Sequence, residues 1–450
     1  MRGSLHFATA LLPDGWANDV RITLRDGLIA AIETGAEPDA GERHAIALPG
    51  LPNLHSHAFQ RGMAGLAEMR GTRDDSFWTW REIMYRFVDR LTPDDLAAIA
   101  AQAYAEMLES GFTRVGEFHY LHHDRDGRRF ADPAAMSAAI VAAARETGIA
   151  LTHLPVFYAH AGFGGIAPGE GQRRFIHDVD GFAKLLDAVR AEVATLPDAV
   201  VGVAPHSLRA VTPGELAALA PLAGGGPVHI HIAEQVREVE DCLAFNGARP
   251  VEWLLGEAPV GANWCLVHAT HMTEAETIAM ARSGAVAGLC PITEANLGDG
   301  LFPADIFLAA GGRYGVGSDS NVRIDATGEL RLLEYGQRLT RRGRNLLADP
   351  GGSTGGALYR AALAGGARAL GVEAGLRVGA PADIVSLDPA HPSLAARSGD
   401  ALLDGLVFAA GREAIDRVWR RGRAVVANGR HVARATIAAR YRATLARLLA

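Results

Sequence analysis

The sequence predicts an α/β protein in which a TIM-like (β/α)8 barrel carries a small β-sandwich formed from both termini. Short apolar runs alternate with longer helix-like stretches from about residue 46 to residue 370. Eight such alternations indicate parallel strands joined by crossover helices, and eight strands close a barrel. Both ends of the chain instead contain short strand-like segments separated by turns.

The predicted barrel strands are short runs of apolar residues. In chain order they cover residues 46–54, 113–118, 150–157, 200–204, 227–232, 264–267, 285–289 and 314–317. The helix-like segments between them include residues 93–109, 133–146, 180–194, 213–222 and 273–282. Thr92-Pro93 and Thr212-Pro213 each place a capping residue before a proline, which is a common way to begin a helix.

This pattern divides the chain into a barrel and a smaller terminal domain. Residues 49–375 are predicted to form the barrel. Residues 1–48 and 376–430 are predicted to form the two parts of the β-sandwich, because neither end is long enough to make a comfortable domain alone. Residues 431–450 are predicted to form a C-terminal helix.

The composition argues against nucleic-acid and membrane partners. Lys+Arg number 44 and Asp+Glu number 51, which gives a net charge of −7, whereas nucleic-acid-binding domains usually carry a basic surplus. Three widely spaced cysteines match neither a CxxC metal motif nor a disulfide framework, which favours a reducing compartment. The N-terminal apolar stretch is short, so we expect a cytoplasmic protein without a signal peptide or membrane span.

Polar residues stand at the ends of three predicted barrel strands, where barrel enzymes place their catalytic groups. His55 and His57 follow the first strand, and their spacing points both imidazoles to the same side of an extended backbone. His231 ends the fifth strand and Asp319 ends the eighth. An isolated His-x-His pair is about as often two exposed or hydrogen-bonded histidines as it is part of a metal site. The three features together favour a metal site with nitrogen ligands.

This set of residues resembles the amidohydrolase superfamily, and the resemblance covers essentially the whole chain. It implies that zinc is bound by His55, His57, His231 and Asp319. Glu234 matches the acidic residue of the deaminase HxxE element, and His268 matches the histidine that ends the sixth strand. We interpret His229 as a packing or supporting residue.

One Zn2+ per subunit is expected. Binuclear members of this superfamily bridge two ions with a carbamylated lysine at the end of a barrel strand. Lys184 is the only lysine in the chain, and it lies in a helix-like segment. Iron or manganese would suit the same ligands as zinc, so the native metal stays open.

The expected chemistry is hydrolysis at a C=N carbon, with Asp319, Glu234 and His268 as the catalytic residues. A zinc ion lowers the pKa of bound water from about 15.7 to about 7. Asp319 is expected to accept the proton of this water, Glu234 to deliver a proton to the leaving nitrogen, and His268 to orient the water and stabilise charge. The alternative interpretation of Glu234 is a solvated carboxylate on a surface helix, because Glu238 and Glu240 follow it closely in the sequence.

Several segments resemble, within the superfamily, the deiminases of N-formimino-L-glutamate rather than purine or triazine deaminases. These segments are residues 48–61, 76–82, 117–120, 206–211 and 293–300. The resemblance implies that the two glutamyl carboxylates are bound by Arg81, Tyr120, His206 and Arg209, and that the formimino group contacts Gln60. Arginine suits this task because its planar guanidinium binds a carboxylate through two hydrogen bonds, although most arginines in a chain are solvated.

The expected reaction yields N-formyl-L-glutamate and ammonia, a step of histidine degradation, and the resemblance suggests a homodimer. The alternative is an aromatic-base deaminase of the guanine type from the same superfamily, which would need a flat apolar slot rather than paired arginines. An inactive binding or assembly subunit is disfavoured, because every expected ligand and proton-transfer residue is present. The aromatic residues 77–80 form either a lid or core, and Asn321 stands where many relatives have histidine.

Overall fold

The structure, a computed structural model, describes residues 2–38, 41–70 and 76–450. Within these residues the strands are β1 (Arg2–Leu12), β2 (Gly15–Arg25), β3 (Leu28–Glu33), β4 (Glu42–Pro49), β5 (Leu51–Ser56), β6 (Phe112–His119), β7 (Ala150–Phe157), β8 (Val200–Val201), β9 (Ala204–Pro205), β10 (Val228–Ile232), β11 (Trp264–His268), β12 (Val286–Leu289), β13 (Arg313–Val316), β14 (Ile384–Leu387), β15 (Ile415–Arg420), β16 (Arg423–Ala427) and β17 (Arg430–His431).

The α-helices of the same residues alternate with the strands through the middle of the chain. They are α1 (Phe77–Val88), α2 (Pro93–Glu109), α3 (Ala135–Thr147), α4 (Val179–Val193), α5 (Pro213–Leu219), α6 (Val236–Asn246), α7 (Pro250–Glu257), α8 (Glu274–Ser283), α9 (Pro291–Leu297), α10 (Ala304–Ala309), α11 (Ala326–Arg341), α12 (Thr354–Ala369), α13 (Asp400–Gly405) and α14 (Arg434–Leu449). No helix among the described residues has the length and apolar character needed to cross a membrane.

The parallel strands β5 to β13 form the barrel. One arc runs β5, β6, β7 and β8, with β9 also pairing β7, and the other runs β10, β11, β12 and β13. Parallel bridges at Val203–Val228 and Ser207–His231 join the two arcs on one side, and a bridge between Ser56 and Asp319 joins them on the other. The predicted α/β-barrel fold class is confirmed, with the fourth predicted strand divided into β8 and β9.

The remaining strands form one sheet that contains both ends of the chain. Its order is β17, β16, β15, β14, β4, β1, β2 and β3. Buried side chains from β1, β2, β4, β14 and β15, among them Phe7, Ile22 and Trp419, pack together as a separate small core. The sheet therefore supplies its own hydrophobic core from both termini.

β4 connects this small core to the barrel core. Ala47 belongs to the small core, whereas Ile46 and Leu48 on the opposite face of the strand belong to the large core, as the two-residue repeat of a strand requires. The predicted strand 46–54 is in fact two strands, which separate at Gly50. A Cβ atom at Gly50 would lie 2.2 Å from Thr113 Cγ2, so only glycine allows the chain to pass this close to β6.

The predicted helix starts are confirmed. The Thr92 side chain accepts a hydrogen bond from Asp95 N at the start of α2, and the Asp95 carboxylate accepts one from Thr92 N. Thr212 and Glu215 make the same reciprocal pair at the start of α5. Such caps satisfy N–H groups that have no partner inside the helix.

Gly365 on α12 is predicted to be essential for the packing of that helix on the barrel. A Cβ atom there would lie 1.8 Å from Tyr314 O of β13, so Gly365→Ala should lower the free energy of unfolding by about 3 kcal/mol through overpacking. The matched control is Gly256→Ala on α7, where no atom lies within 4 Å of the new Cβ and helix propensity favours alanine by up to about 1 kcal/mol. Urea unfolding followed by circular dichroism measures both, and equal midpoints would contradict the prediction.

Candidate active site

Three imidazoles and one carboxylate meet at the carboxyl ends of the barrel strands. The Nε2 atom of His55 lies 3.2 Å from Nε2 of His57 and 3.0 Å from Nε2 of His231. Asp319 Oδ1 lies 3.5 Å from His55 Nε2 and 3.3 Å from His57 Nε2. All four side chains are buried. The structure thus brings together residues that are up to 264 positions apart in the chain.

The donor atoms of this cluster fit one divalent cation. His57 Nδ1 donates to Phe118 O at 2.9 Å, and His231 Nδ1 donates to His206 O at 3.0 Å. Because a neutral imidazole carries one N–H, the Nε2 atoms of both residues present lone pairs to the cluster. A tetrahedral ion with bonds of about 2.0–2.1 Å separates its ligand atoms by about 3.3 Å, which matches the observed spacing.

The protonation states of the cluster also suit a cation. Burial lowers the pKa of His55 to about 3, and it lowers the pKa values of His57 and His231 as well. Burial alone would raise the pKa of Asp319, but the hydrogen bond with His55 and the nearby imidazoles lower it overall. At neutral pH the site therefore presents three neutral imidazoles and one ionised carboxylate, the forms that bind metal.

Glu234 and His268 lie beside this cluster. His268 Nε2 is 3.7 Å from Glu234 Oε1 and 3.8 Å from Asp319 Oδ2. Burial raises the pKa of Glu234 to about 7, against the opposing effects of His268 and Arg209. Burial lowers the pKa of His268, but Glu234, Glu294 and Asp319 together raise it to about 10. A carboxyl group with a pKa near 7 can both take and give a proton at neutral pH.

A cavity opens above the cluster. The three residues with an expected catalytic role line it, and so do the five with an expected substrate role: Asp319, Glu234 and His268, and Gln60, Arg81, Tyr120, His206 and Arg209. Phe77 and Trp80, in the first turn of α1, also form part of its wall and are half-buried. The segment 77–80, which contains three aromatic residues, thus begins a helix at the side of the cavity.

Gln60, Tyr120 and His206 form one side of this cavity next to the cluster. Gln60 Nε2 donates to Tyr120 Oη at 3.0 Å, and Gln60 Oε1 is buried without a hydrogen-bond partner among the described residues. The backbone carbonyl of His206 accepts the Nδ1 proton of His231. His206 therefore contacts the cavity with its ring and orients a cluster imidazole with its backbone.

Asn321 connects the two strand ends that carry the cluster. Its Nδ2 atom lies 3.0 Å from His57 O, 3.1 Å from Asp319 O and 3.1 Å from Ser56 Oγ, and its Oδ1 accepts from Ser318 Oγ at 2.6 Å. An amide suits this position because it donates and accepts at once. The residue stabilises the backbone around the cluster rather than contacting the cavity.

His229 and Lys184 lie outside the cluster. His229 is buried, and its Nε2 lies 2.7 Å from Ala369 O of α12. Lys184 is exposed on α4. Neither side chain is among the described residues that line the cavity.

Three further residues support the site without having been predicted from the sequence: Glu294, Thr293 and Ser320. Glu294 Oε1 lies 3.2 Å from His268 Nδ1, so this carboxylate fixes the ring orientation of His268. Thr293 Oγ1 lies 2.9 Å from Ser320 Oγ, and both residues line the cavity. Glu294 and Thr293 fall within the family-like segment 293–300, but nothing in the segment itself indicated their partners.

Comparisons with known proteins identify the family of this chain. A family model described as Amidohydrolase family matches residues 46–425, and one described as Formimidoylglutamate deiminase HutF, N-terminal domain, matches residues 4–45. A formimidoylglutamate deiminase of Pseudomonas aeruginosa is 56% identical over 94% of both chains. A 5-methylthioadenosine/S-adenosylhomocysteine deaminase of Natronomonas pharaonis is 29% identical over 85% of both chains.

A solved structure shows the same architecture over the full length. The crystal structure of an amidohydrolase from Brucella melitensis superposes with a TM-score of 0.97 and 55% identity, and the match covers 100% of both chains. The chain therefore belongs to the amidohydrolase family and, within it, groups with the formimidoylglutamate deiminases.

Proposed function

We propose that this chain hydrolyses N-formimino-L-glutamate to N-formyl-L-glutamate and ammonia in histidine degradation. The observation that carries the proposal is the position of Glu234 and His268 between the four-residue cluster and a cavity lined by two arginines. The high identity to a formimidoylglutamate deiminase over nearly the whole chain supports the choice of substrate.

In this proposal His55, His57, His231 and Asp319 hold one zinc ion, which would lower the pKa of bound water from about 15.7 to about 7. Asp319 and Glu234 receive protons as the water oxygen adds to the amidine carbon. Glu234 then delivers its proton to the imino nitrogen, which becomes an amine, and the proton held by Asp319 passes to the same nitrogen. The C–N bond breaks as the formyl C=O bond forms, and ammonia leaves. His268, held by Glu294 at 3.2 Å, donates a hydrogen bond to the charge that develops in this step.

The substrate carboxylates are assigned to the basic side of the cavity. Arg81 and Arg209 provide fixed positive charge, Tyr120 and His206 provide further hydrogen bonds, and the free Oε1 of Gln60 accepts from the formimino N–H. An aromatic base would bring no carboxylate to either guanidinium group. This argues against the guanine-type alternative, as does the distance of the purine-type relatives, which are less than 30% identical.

The proposal also covers the location, the oligomeric state and the domain division of the protein. Three buried free cysteines support a cytoplasmic location, and we propose a homodimer with one Zn2+ per subunit and no nucleic-acid or membrane partner. The exposed position of Lys184 supports a single ion. We propose residues 49–375 as the metal-dependent domain, residues 1–48 and 376–430 as the two parts of the β-domain, and residues 431–450 as a terminal helical segment.

Metal removal is predicted to abolish activity reversibly. Chelation should stop ammonia release from N-formimino-L-glutamate, because the cluster then activates no water, and one equivalent of zinc should restore it. The measurement is an ammonia assay with metal analysis, using N-formimino-L-aspartate and guanine as comparison substrates. Ammonia from guanine but not from N-formimino-L-glutamate would contradict the proposal.

Glu234→Gln is predicted to remove proton transfer while leaving metal binding intact. The amide keeps the shape of the side chain but cannot exchange a proton, so kcat should fall roughly 10²- to 10⁴-fold. Glu240→Gln on the exposed face of α6 is the matched control. Turnover in the Glu234 variant at the unsubstituted rate would exclude Glu234 from the mechanism.

Arg209→Met is predicted to weaken substrate binding more than it slows chemistry. A charge-assisted hydrogen bond contributes about 1.5–3 kcal/mol, so KM should rise roughly 10- to 100-fold. Steady-state kinetics measures this, with Arg282→Met on the exposed side of α8 as the control. An unchanged KM would refute the assigned role of Arg209.

A further inference from the structure

Three arginines from three elements contact one indole ring beside the cavity. The guanidinium carbon Cζ of Arg81 lies 4.6 Å from the ring centre of Trp78, that of Arg237 lies 5.0 Å from it, and that of Arg209 lies 5.9 Å from it. Each distance is within the range of about 6 Å in which a cation interacts with an aromatic face. We call Trp78 and these three residues the Trp78 arginine cluster.

The positive charge of this cluster is only partly neutralised by the protein. The Arg209 side chain is 7% exposed, and its nearest carboxylate oxygen, Glu238 Oε2, lies 3.7 Å from Nε. Within the described residues, Arg209 Nε is buried without a hydrogen-bond partner. Buried cationic donors are costly unless they are paired. The Arg209 guanidinium is therefore paired with one carboxylate of the protein but keeps a buried N–H donor that no described residue satisfies.

The other two arginines are also weakly paired. Arg81 is half-buried, and no described carboxylate lies within ion-pair distance of it. Arg237 is 65% exposed at the start of α6, and its Nε lies 3.6 Å from Asp241 Oδ2. The Trp78 arginine cluster thus places two incompletely paired cations, Arg81 and Arg209, at the cavity and a third, Arg237, on the solvent side of the cavity.

Trp78 does not itself reach the cavity. Arg81 and Arg209 line the cavity, whereas Trp78 and Arg237 are not among its lining residues in the described chain. The indole therefore acts through the two lining arginines. Its face restricts both long side chains before an anion binds, which reduces the conformational entropy that binding would otherwise cost.

We propose that Trp78 is a positioning residue that makes the site selective for dicarboxylates, with Arg237 as a third cation that attracts them to the cavity. Trp78 holds Arg81 and Arg209 in the orientation that receives two carboxylates. The inference rests on the proposed function for the identity of the substrate, but it concerns the class of anion and can be tested by binding alone.

Calorimetry on the zinc-loaded enzyme tests the selectivity. The probes are glutarate and its monoamide glutaramate, which have the same length and differ by one negative charge. Trp78→Leu should weaken glutarate binding roughly 10- to 100-fold and weaken glutaramate binding much less, because two cation–π contacts are lost. Trp78→Phe, which keeps an aromatic face, should recover most of the selectivity, and Trp253→Phe on α7 is the control.

If Trp78→Leu weakens the binding of glutarate and glutaramate equally, the proposal is wrong, since a purely structural role would lower both affinities alike. It is also wrong if the variant binds glutarate at the unsubstituted affinity. If Trp78→Leu does not fold, Trp78→Met, which also lacks an aromatic face, carries the same test with the same expected loss of the glutarate-to-glutaramate affinity ratio.

Arg237→Gln tests the attraction separately. It should lower kcat/KM for N-formimino-L-glutamate a few-fold at low salt and flatten its dependence on ionic strength, because a solvent-facing charge steers encounter and is screened. Arg282→Gln on α8 serves as the control. An unchanged salt dependence in the Arg237 variant would contradict its assigned role.

The two proposals fail in different ways. If the unsubstituted enzyme releases no ammonia from N-formimino-L-glutamate while glutarate binding still depends on Trp78, the proposed function is wrong and the inference stands. If turnover is present while the Trp78 variants bind both probes as the unsubstituted enzyme does, the inference is wrong and the proposed function stands.

Discussion

The candidate metal centre depends on the seam at which the barrel closes, where the end of β5 meets the residues that follow β13. His57 N donates to Asp319 O at 3.0 Å, and Asp319 N donates to His55 O at 3.0 Å. Three of the four cluster residues are therefore joined through their own backbones, which cannot separate unless the barrel opens. Gly317 permits this contact, because a Cβ atom there would lie 2.7 Å from His55 O.

Three residues at the site have their backbone in the left-handed region. Asp319 has φ 44°, Asn321 has φ 55° and His268 has φ 67°, and non-glycine residues in this region cost of order 1–3 kcal/mol each. The amide of Asn321 bonds to the backbone of both strand ends. Barrel closure and these side-chain bonds hold Asp319 and Asn321 in backbone conformations that non-glycine residues seldom adopt.

Electrostatics divides the site into two halves with opposite preferences. Neutral imidazoles and one carboxylate, which could hold a metal ion, form one half, whereas the guanidinium groups of Arg81 and Arg209 line the other half. Glu234 lies between them, and Arg209 and His268 oppose the effect of burial on its pKa. The proposed function uses this division: the anionic substrate would bind at the arginine end and water would be activated at the cluster, with Glu234 between them.

The sequence by itself determined the barrel and the identity of the cluster residues, because strand–helix alternation and the spacing of His55 and His57 are local patterns. Tertiary structure decided the division at Gly50, the support of His268 by Glu294, and the contact of three arginines with Trp78. Each of these depends on the distance between residues remote in the chain, which is set by close packing and barrel closure, and no local pattern records that distance.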